Sequence, residues 1–350
     1  MNNDLIKNDK SKKLVIGYFG YHTNKLDGQT VKTRNLYALV AKHFNDVSFF
    51  DTQEFRFSKK SILKMFYAIL KADQLIYLPA HGNLKYLFPL IWLMCRFNHS
   101  KIYYFIIGGW LSLFVRNLPI HRFMLKRISG IYSETKRLKK ELNEWYGMNN
   151  VHIFNNFRSF DFCPVEHHIS GELHLVFMAR VCRQKGLDMI FKLGDFLSKT
   201  RNMYKISIDF YGQIIKEDED FFRTEISRFP FMEYKGVLQP NNIYEVLQKY
   251  DALILPTHYP REGLPGSVVD AYISGIPVIV TNWAYAEEFV ENGKTGLIVP
   301  YEDGQKELND AVLFLLSNEN DLHEMKLNAY QRAFQFSEKV AWEQLKNILD

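Results

Sequence analysis

Short apolar runs rich in β-branched residues alternate along this chain with longer stretches whose apolar positions recur at helical spacing. Leu14–Phe19 (LVIGYF) reads as a first strand. A loop holding Asp27-Gly28-Gln29-Thr30 follows it, then a helix from about Val31 to His43. Further strands are expected at Val47–Phe50, Leu75–Leu78, Ile102–Ile107, Ile131–Ser133 and Val151–Phe154, the third of these ending at Gly108-Gly109. A helix rich in Lys and Arg (Lys136, Arg137, Lys139, Lys140) separates the last two. Between Asn155 and Gly171 the rhythm breaks into polar residues, a proline and the pair His167-His168, as an interdomain connection would. The alternation then restarts. Strands are expected at Leu173–Ala179, Lys205–Tyr211, Asp251–Leu255, Pro277–Thr281 and Gly296–Val299, with helices at Leu187–Leu197 and from about Gly266 to Ser274. The last 45 or so residues look helical, and Val340–Leu349 is amphipathic.

Strand–helix alternation of this kind builds parallel α/β sheets. Two such halves in 350 residues imply two Rossmann-like domains facing across a cleft. The boundaries read as 1–155 for the first domain, 156–172 for the linker and 173–335 for the second. The final helix, 336–350, is expected to pack back on the first domain.

Charge divides the halves further. Lys and Arg outnumber Asp and Glu by 25 to 12 in residues 1–170, and are outnumbered by 27 to 19 in the remainder. The net charge of +5 hides this, and the basic half points to an anionic partner. The three cysteines, Cys95, Cys163 and Cys182, are far apart and form no CxxC pair. That argues against structural zinc, thioredoxin chemistry and a disulfide scaffold, and fits a reducing cytoplasm. The polar, charged start of the chain is unlike a secretory leader. The longest greasy stretch, Tyr86–Phe97, contains Pro89 and Arg96 and falls well short of the roughly 20 residues a spanning helix needs. It reads as a buried or interfacial helix.

The densest chemistry lies in Leu255–Thr281, LPTHYPREGLPGSVVDAYISGIPVIVT. A buried strand feeds a loop carrying Glu262, glycines and prolines, and a helix opens near Gly266-Ser267 with Asp270 one turn inside it. Ligands of open α/β sheets bind outside the carboxyl ends of strands, where helix N–H groups suit a phosphate and glycine admits close approach. A second segment, Phe177–Asp188 (FMARVCRQKGLD), delivers Arg180 and then Lys185-Gly186 to the mouth of the same sheet. Two cations there match a diphosphate. Each residue alone also fits a plain structural role; their joint order favours a site.

These residues carry a family likeness. Arg180-x4-Lys185-Gly186, Tyr211-Gly212, Gly236-Val237 and Asp251-Ala252-Leu253 come first. Glu262-Gly263-Leu264-Pro265…Asp270-Ala271, Gly275-x-Pro277-Val278-Ile279 and Gly293-x2-Gly296-Leu297-Ile298-Val299 follow. Over about 130 residues the chain resembles the family-4 retaining glycosyltransferases of GT-B fold, most of all bacterial enzymes of capsular, exopolysaccharide or O-antigen assembly. The resemblance implies that Arg180 and Lys185 neutralise the leaving diphosphate of a nucleotide sugar, a UDP-sugar foremost, and that Glu262 binds donor-sugar hydroxyls. Gly263, Leu264, Pro265, Gly266, Ser267 and Val268 are implied to line the donor site, with backbone N–H groups near Leu264–Val268 touching sugar and phosphate. Asp270 is implied to hold the ribose, Gly236-Val237-Leu238 to cradle the base, and Gly212 to bind the donor. The family usually has Glu at the position of Asp270, so the ribose contact here is longer, water-mediated or shifted. In the first half the likeness is weaker: Gly28 and Gln29 sit where the family's glycine-rich loop nears the donor. The family's sugar-contacting His is missing after Gly108-Gly109-Trp110. His81 is a substitute candidate, or a loop histidine without that role.

The resemblance implies same-face transfer with no carboxylate nucleophile. No metal or other cofactor is expected. For the acceptor, Lys59, Lys60, Lys64 and Lys71 interleave with Ile62, Leu63, Met65, Phe66 and Ile69, while Arg122, Lys126 and Arg127 accompany Phe123, Met124 and Leu125. Basic amphipathic segments of this type lie on membranes. They imply an anionic inner-leaflet surface and a lipid-linked saccharide acceptor, unless the apolar residues simply pack on the sheet. A sugar-nucleotide epimerase, a glycoside hydrolase and a non-catalytic sugar-nucleotide binder remain as alternatives. No recognition motif supports nucleic acid.

Overall fold

A computed structural model describes residues 11–23, 27–165, 171–199 and 205–349. The His167-His168 pair lies outside them. The chain divides into two compact units, Met1–Ser159 with Glu338–Asp350, and Phe160–Ser337.

Six parallel strands build the first unit: β1 (Lys13–Gly17), β2 (Val47–Asp51), β3 (Gln74–Leu78), β4 (Lys101–Phe105), β5 (Gly130–Ser133) and β6 (Val151–Ile153), in the order β2-β1-β3-β4-β5-β6. β1 and β3 are buried along their whole length, which is why their sequences are apolar runs rather than alternations. Even Lys13 is buried. Its ammonium lies 4.0 Å from the Phe44 ring centroid and donates to Ser11 Oγ at 2.9 Å. The Glu338–Leu345 helix packs into this unit's core through Ala341 and Leu345, and Leu349 follows them in; Lys42 Nζ reaches Glu338 Oε1 at 2.6 Å.

The first helix runs Gly28–His43, so Gly28, Gln29 and Thr30 form its opening turn rather than a loop. The cause is a reciprocal capping box: Asp27 Oδ1 accepts from Thr30 N, and Thr30 Oγ1 accepts from Asp27 N, both at 2.9 Å. The Tyr86–Phe97 stretch is likewise not one helix. A short helix His81–Tyr86 ends, and Phe88–Phe97 begins with Pro89 in its first turn. The Phe88–Phe97 helix buries Phe88, Ile91 and Cys95 and exposes Leu90, Leu93 and Phe97. The Ser61–Lys71 helix splits the same way: Met65 and Ile69 are buried, while Leu63, Tyr67 and Leu70 are exposed beside Lys64 and Lys71. Among the described residues no helix is long and apolar enough to cross a membrane.

The second unit repeats the plan with β7 (Glu172–Met178), β8 (Lys205–Tyr211), β9 (Met232–Gly236), β10 (Ala252–Leu255), β11 (Val278–Thr281) and β12 (Gly296–Val299), ordered β12-β11-β10-β7-β8-β9 and parallel throughout. Phe177, Phe191, Phe210 and Phe222 form one aromatic cluster on it, with contacting ring centroids 5.4–6.1 Å apart. Asp251, just before β10, accepts from His174 N at 2.8 Å and from the buried Lys326 ammonium at 2.9 Å, which ties the central strands to the Glu319–Ala333 helix.

Candidate functional site

The central strands β7 and β10 of the second unit both end in segments dense with chemistry. Beyond β7 the chain passes Arg180 and enters a tight turn, Arg183–Lys185, closed by Gly186 at φ +94°. A Cβ on Gly186 would lie 2.1 Å from the Pro256 carbonyl oxygen, so glycine there lets the two strand exits touch. His258 N donates to Gln184 O at 2.9 Å and completes the seam.

Across that seam Lys185 Nζ donates to Glu262 Oε2. Both side chains are only 10% exposed, and Thr257 Oγ1 donates to the same carboxylate oxygen at 3.0 Å. Tyr259 stands over the pair: its ring centroid is 5.2 Å from the Lys185 ammonium and 5.8 Å from the Arg180 guanidinium. Arg180 itself is exposed. The cluster is therefore one carboxylate, one bound cation, one open cation and an aromatic face. Such a set can clamp an anionic group and hydrogen-bond a polyhydroxylated one. Burial pushes the Cys182 thiol up against the opposing pull of Arg180 and Lys185, so the cysteine in their midst stays a thiol.

The loop from Glu262 into the next helix is held from behind. Trp283 Nε1 donates to Gly263 O at 3.1 Å and Leu264 is buried. His258 Nε2 donates to Tyr301 O at 2.7 Å while Tyr301 Oη donates to His258 O at 3.0 Å. The helix Gly266–Ile273 starts after Pro265 with no side-chain cap, and Val268 N turns back to Pro265 O at 3.1 Å. Gly266 and Ser267 thus bring N–H groups to its open end. Asp270, one turn in, is 5% exposed and not a solvated helix residue.

Gly212 ends β8 at φ +140°, its N–H donating to Gly236 O at 2.8 Å. A Cβ there would come 1.7 Å from Ala179 O. Val237 beyond β9 is about half exposed and Leu238 half-buried. In the first unit His81 opens the short helix after β3, its ring 4.9 Å from Trp110 and 4.4 Å from Phe114. Gly108 and Gly109 lead directly to that tryptophan, whose Nε1 donates to Ile107 O at 2.6 Å. His81 and the glycine pair therefore converge at the ends of β3 and β4. Gly28 and Gln29 lie on the same unit, Gly28 exposed and Gln29 half-buried.

Tyr259 and Thr257 are the residues sequence reading passed over. Their signal was present in the PTHYPREG loop, where they precede Glu262 by three and five positions. Among the described residues no three His, Cys, Asp or Glu side chains gather into a group able to hold a metal ion.

Residues 163–332, within the second unit, match the family model described as glycosyl transferases group 1. A Campylobacter jejuni N,N'-diacetylbacillosaminyl-diphospho-undecaprenol alpha-1,3-N-acetylgalactosaminyltransferase is 28% identical over 110 residues, covering 31% of this chain and 28% of that one. A Staphylococcus aureus capsular polysaccharide biosynthesis glycosyltransferase, CapM, is 27% identical over 179 residues, covering 49% and 44%. The chain thus spans less than half the length of these relatives. The Anabaena HepE structure in complex with UDP and glucose superposes with a TM-score of 0.73 at 15% identity, over 97% of this chain and 99% of that one. The two parallel six-stranded sheets are those of the GT-B fold.

Proposed function

We propose that the protein transfers a sugar from a nucleotide-diphosphate sugar, a UDP-sugar foremost, to a hydroxyl of a lipid-linked saccharide during assembly of a surface polysaccharide. The observation that carries this reading is the Lys185–Glu262 pair, buried beneath Tyr259 and next to the open Arg180 guanidinium at the carboxyl ends of β7 and β10. The group 1 domain, and relatives named for capsular polysaccharide and for a diphospho-undecaprenol-linked acceptor, support it.

In this mechanism the bond between the anomeric carbon and the diphosphate oxygen breaks as the acceptor oxygen bonds to the same face. The acceptor proton passes to the departing phosphate. The chain's task is to stabilise charge where it develops. Lys185 has three N–H bonds and gives one to Glu262, leaving two for phosphate oxygens. Arg180 offers a planar fork to the same diphosphate. Glu262 retains a second carboxylate oxygen for donor-sugar hydroxyls. The N–H groups at Gly266 and Ser267 approach the phosphate, Asp270 the ribose, and Gly236–Leu238 the base. No metal ion is required, and activity persists in EDTA.

The exposed Leu63, Tyr67, Leu70, Leu90, Leu93 and Phe97, set among Lys64, Lys71 and Arg96, support peripheral attachment of the first unit to an anionic membrane surface. The test is incubation with a panel of UDP-sugars and a polyprenyl-diphosphate saccharide, followed by NMR of the product. A lengthened saccharide with the donor's anomeric configuration supports the reading. Inversion refutes the retaining step, and conversion of the nucleotide sugar without acceptor refutes transfer in favour of an epimerase.

A further inference from the structure

The Pro119–Leu125 helix and the end of the Lys136–Tyr146 helix line a cavity of about 400 Å³ in the first unit. Its walls are Arg122, Lys126 and Arg127 together with the rings of Phe123, Trp145 and Tyr146. The Arg122 guanidinium lies 5.3 Å from the Tyr146 ring centroid, and that of Arg127 lies 3.6 Å from Phe123. Each arginine gives one N–H to a main-chain carbonyl, Arg122 to Arg116 O at 3.3 Å and Arg127 to Phe123 O at 3.1 Å. Four donors remain on each. Among the described residues none of the three cations pairs with a carboxylate, whereas the exposed arginines Arg137, Arg183, Arg223 and Arg228 all do. Tyr146 Oη donates to Ser112 O at 2.8 Å and braces the wall.

Three like charges converging on one cavity, with carboxylates absent, call for an anion. Their donor set matches phosphate oxygens. The surroundings identify the anion's carrier. Phe123, Trp145 and Ile120 are 50%, 53% and 68% exposed, and Leu113 is 64% exposed one residue from Ser112. Trp92 meets Phe123 edge-on, at 6.2 Å between centroids, and continues the surface to the exposed Leu90, Leu93 and Phe97. A free phosphate has no use for that apolar rim. A phosphate carried on acyl chains does, and tryptophan favours the boundary between headgroups and chains.

We propose that this cavity binds the phosphate of an anionic phospholipid headgroup and fixes the orientation of the first unit on the membrane. The proposal rests on the membrane attachment put forward above and adds a defined site to it. The test uses the full chain with vesicles of phosphatidylcholine alone or mixed with phosphatidylglycerol, some carrying acyl chains brominated near the headgroup. The wild type is expected to bind only the anionic vesicles, with tryptophan quenching that falls in Trp145→Phe to what Trp92 contributes. Arg122→Gln/Lys126→Gln/Arg127→Gln should lose about fivefold in affinity per charge, on the order of a hundredfold in all. If the wild type binds anionic vesicles but Trp145→Phe keeps the full quenching, or the triple variant binds unchanged, the cavity is overturned and membrane attachment stands. Binding to neither vesicle overturns both. If glycerol 3-phosphate alone shifts Trp145 emission while anionic vesicles do not, the occupant is a soluble phosphate and the lipid assignment is overturned.

Discussion

Lys185 and Glu262, 77 positions apart in sequence, meet as a buried ion pair where β7 and β10 leave the sheet. The parallel register of these two strands, with Ala252 opposite Leu175 and Leu253 opposite Val176, brings their exits side by side. Removing one partner strands the other charge. Glu262→Leu and Lys185→Met should each destabilise the fold by about 3 kcal/mol, and Lys185→Met/Glu262→Leu by much less than the sum. Urea denaturation of the four proteins checks this. Additive losses would show that the pair is not coupled.

The neighbouring exits of β7 and β8 depend on close backbone approach too. Gly212→Ala places a methyl group against Ala179 O at a φ that L-residues avoid, so both sheet exits must shift. A loss of more than about 2 kcal/mol in unfolding free energy is expected. Gly28→Ala, which meets nothing within 4 Å at a helix start, should be within about 0.5 kcal/mol of wild type.

Tyr259 faces both cations of the site. Tyr259→Phe keeps the ring and should bind UDP as the wild type does. Tyr259→Leu removes it and should weaken binding by roughly fivefold, the worth of about 1 kcal/mol of cation–π contact. Calorimetric titration separates the two variants. Equal affinities for both would remove the ring from the site.

The last helix is clipped to the first unit by a pH-dependent bond. Burial works to raise the Glu338 carboxyl, but hydrogen bonds from Lys42 and Ser159 and the charges of Lys42 and His43 outweigh it and hold it below its usual value. A lowered carboxylate contributes stability that is present above the unfolded value of about 4.3 and lost as the pH falls through the folded one. Lys42 is 64% exposed, so solvent limits the contribution to about 0.2–1 kcal/mol. Glu338→Gln should therefore be less stable than wild type at pH 7. The difference should close on acidification below about pH 4. A gap that widens in acid would contradict the assignment.

Much of this architecture is legible in the chain because fully buried parallel strands write themselves as apolar runs. QLIYL, ALIL and VIVT each stand out against their flanks, and all three are buried throughout. The edge strand β9, MEYKG, is the counterexample. Half-exposed, with polar residues at alternate positions, it carries no run to read. At Gly28 the glycine signal for a loop competes with the Asp27–Thr30 capping signal, and the cap prevails because it satisfies two backbone donors at once. Arg180, Lys185, Glu262 and Asp270 are recognisable from their order along the chain. That Lys185 is tied to Glu262 rather than standing open is not, since it depends on how close β7 and β10 bring their loops. Tyr259 escapes for the same reason. A loop tyrosine acquires its meaning only from the two cations it faces.

The central claim is that the cations at the β7 exit hold the diphosphate of a nucleotide sugar. The direct measurement is calorimetric titration of UDP, UMP and uridine into the wild type and into Arg180→Ala and Lys185→Ala, each variant first shown to be folded. UDP should bind the wild type far more tightly than uridine, and both variants should lose at least tenfold for UDP with little change for uridine. Wild-type affinity for UDP in either variant would contradict the account.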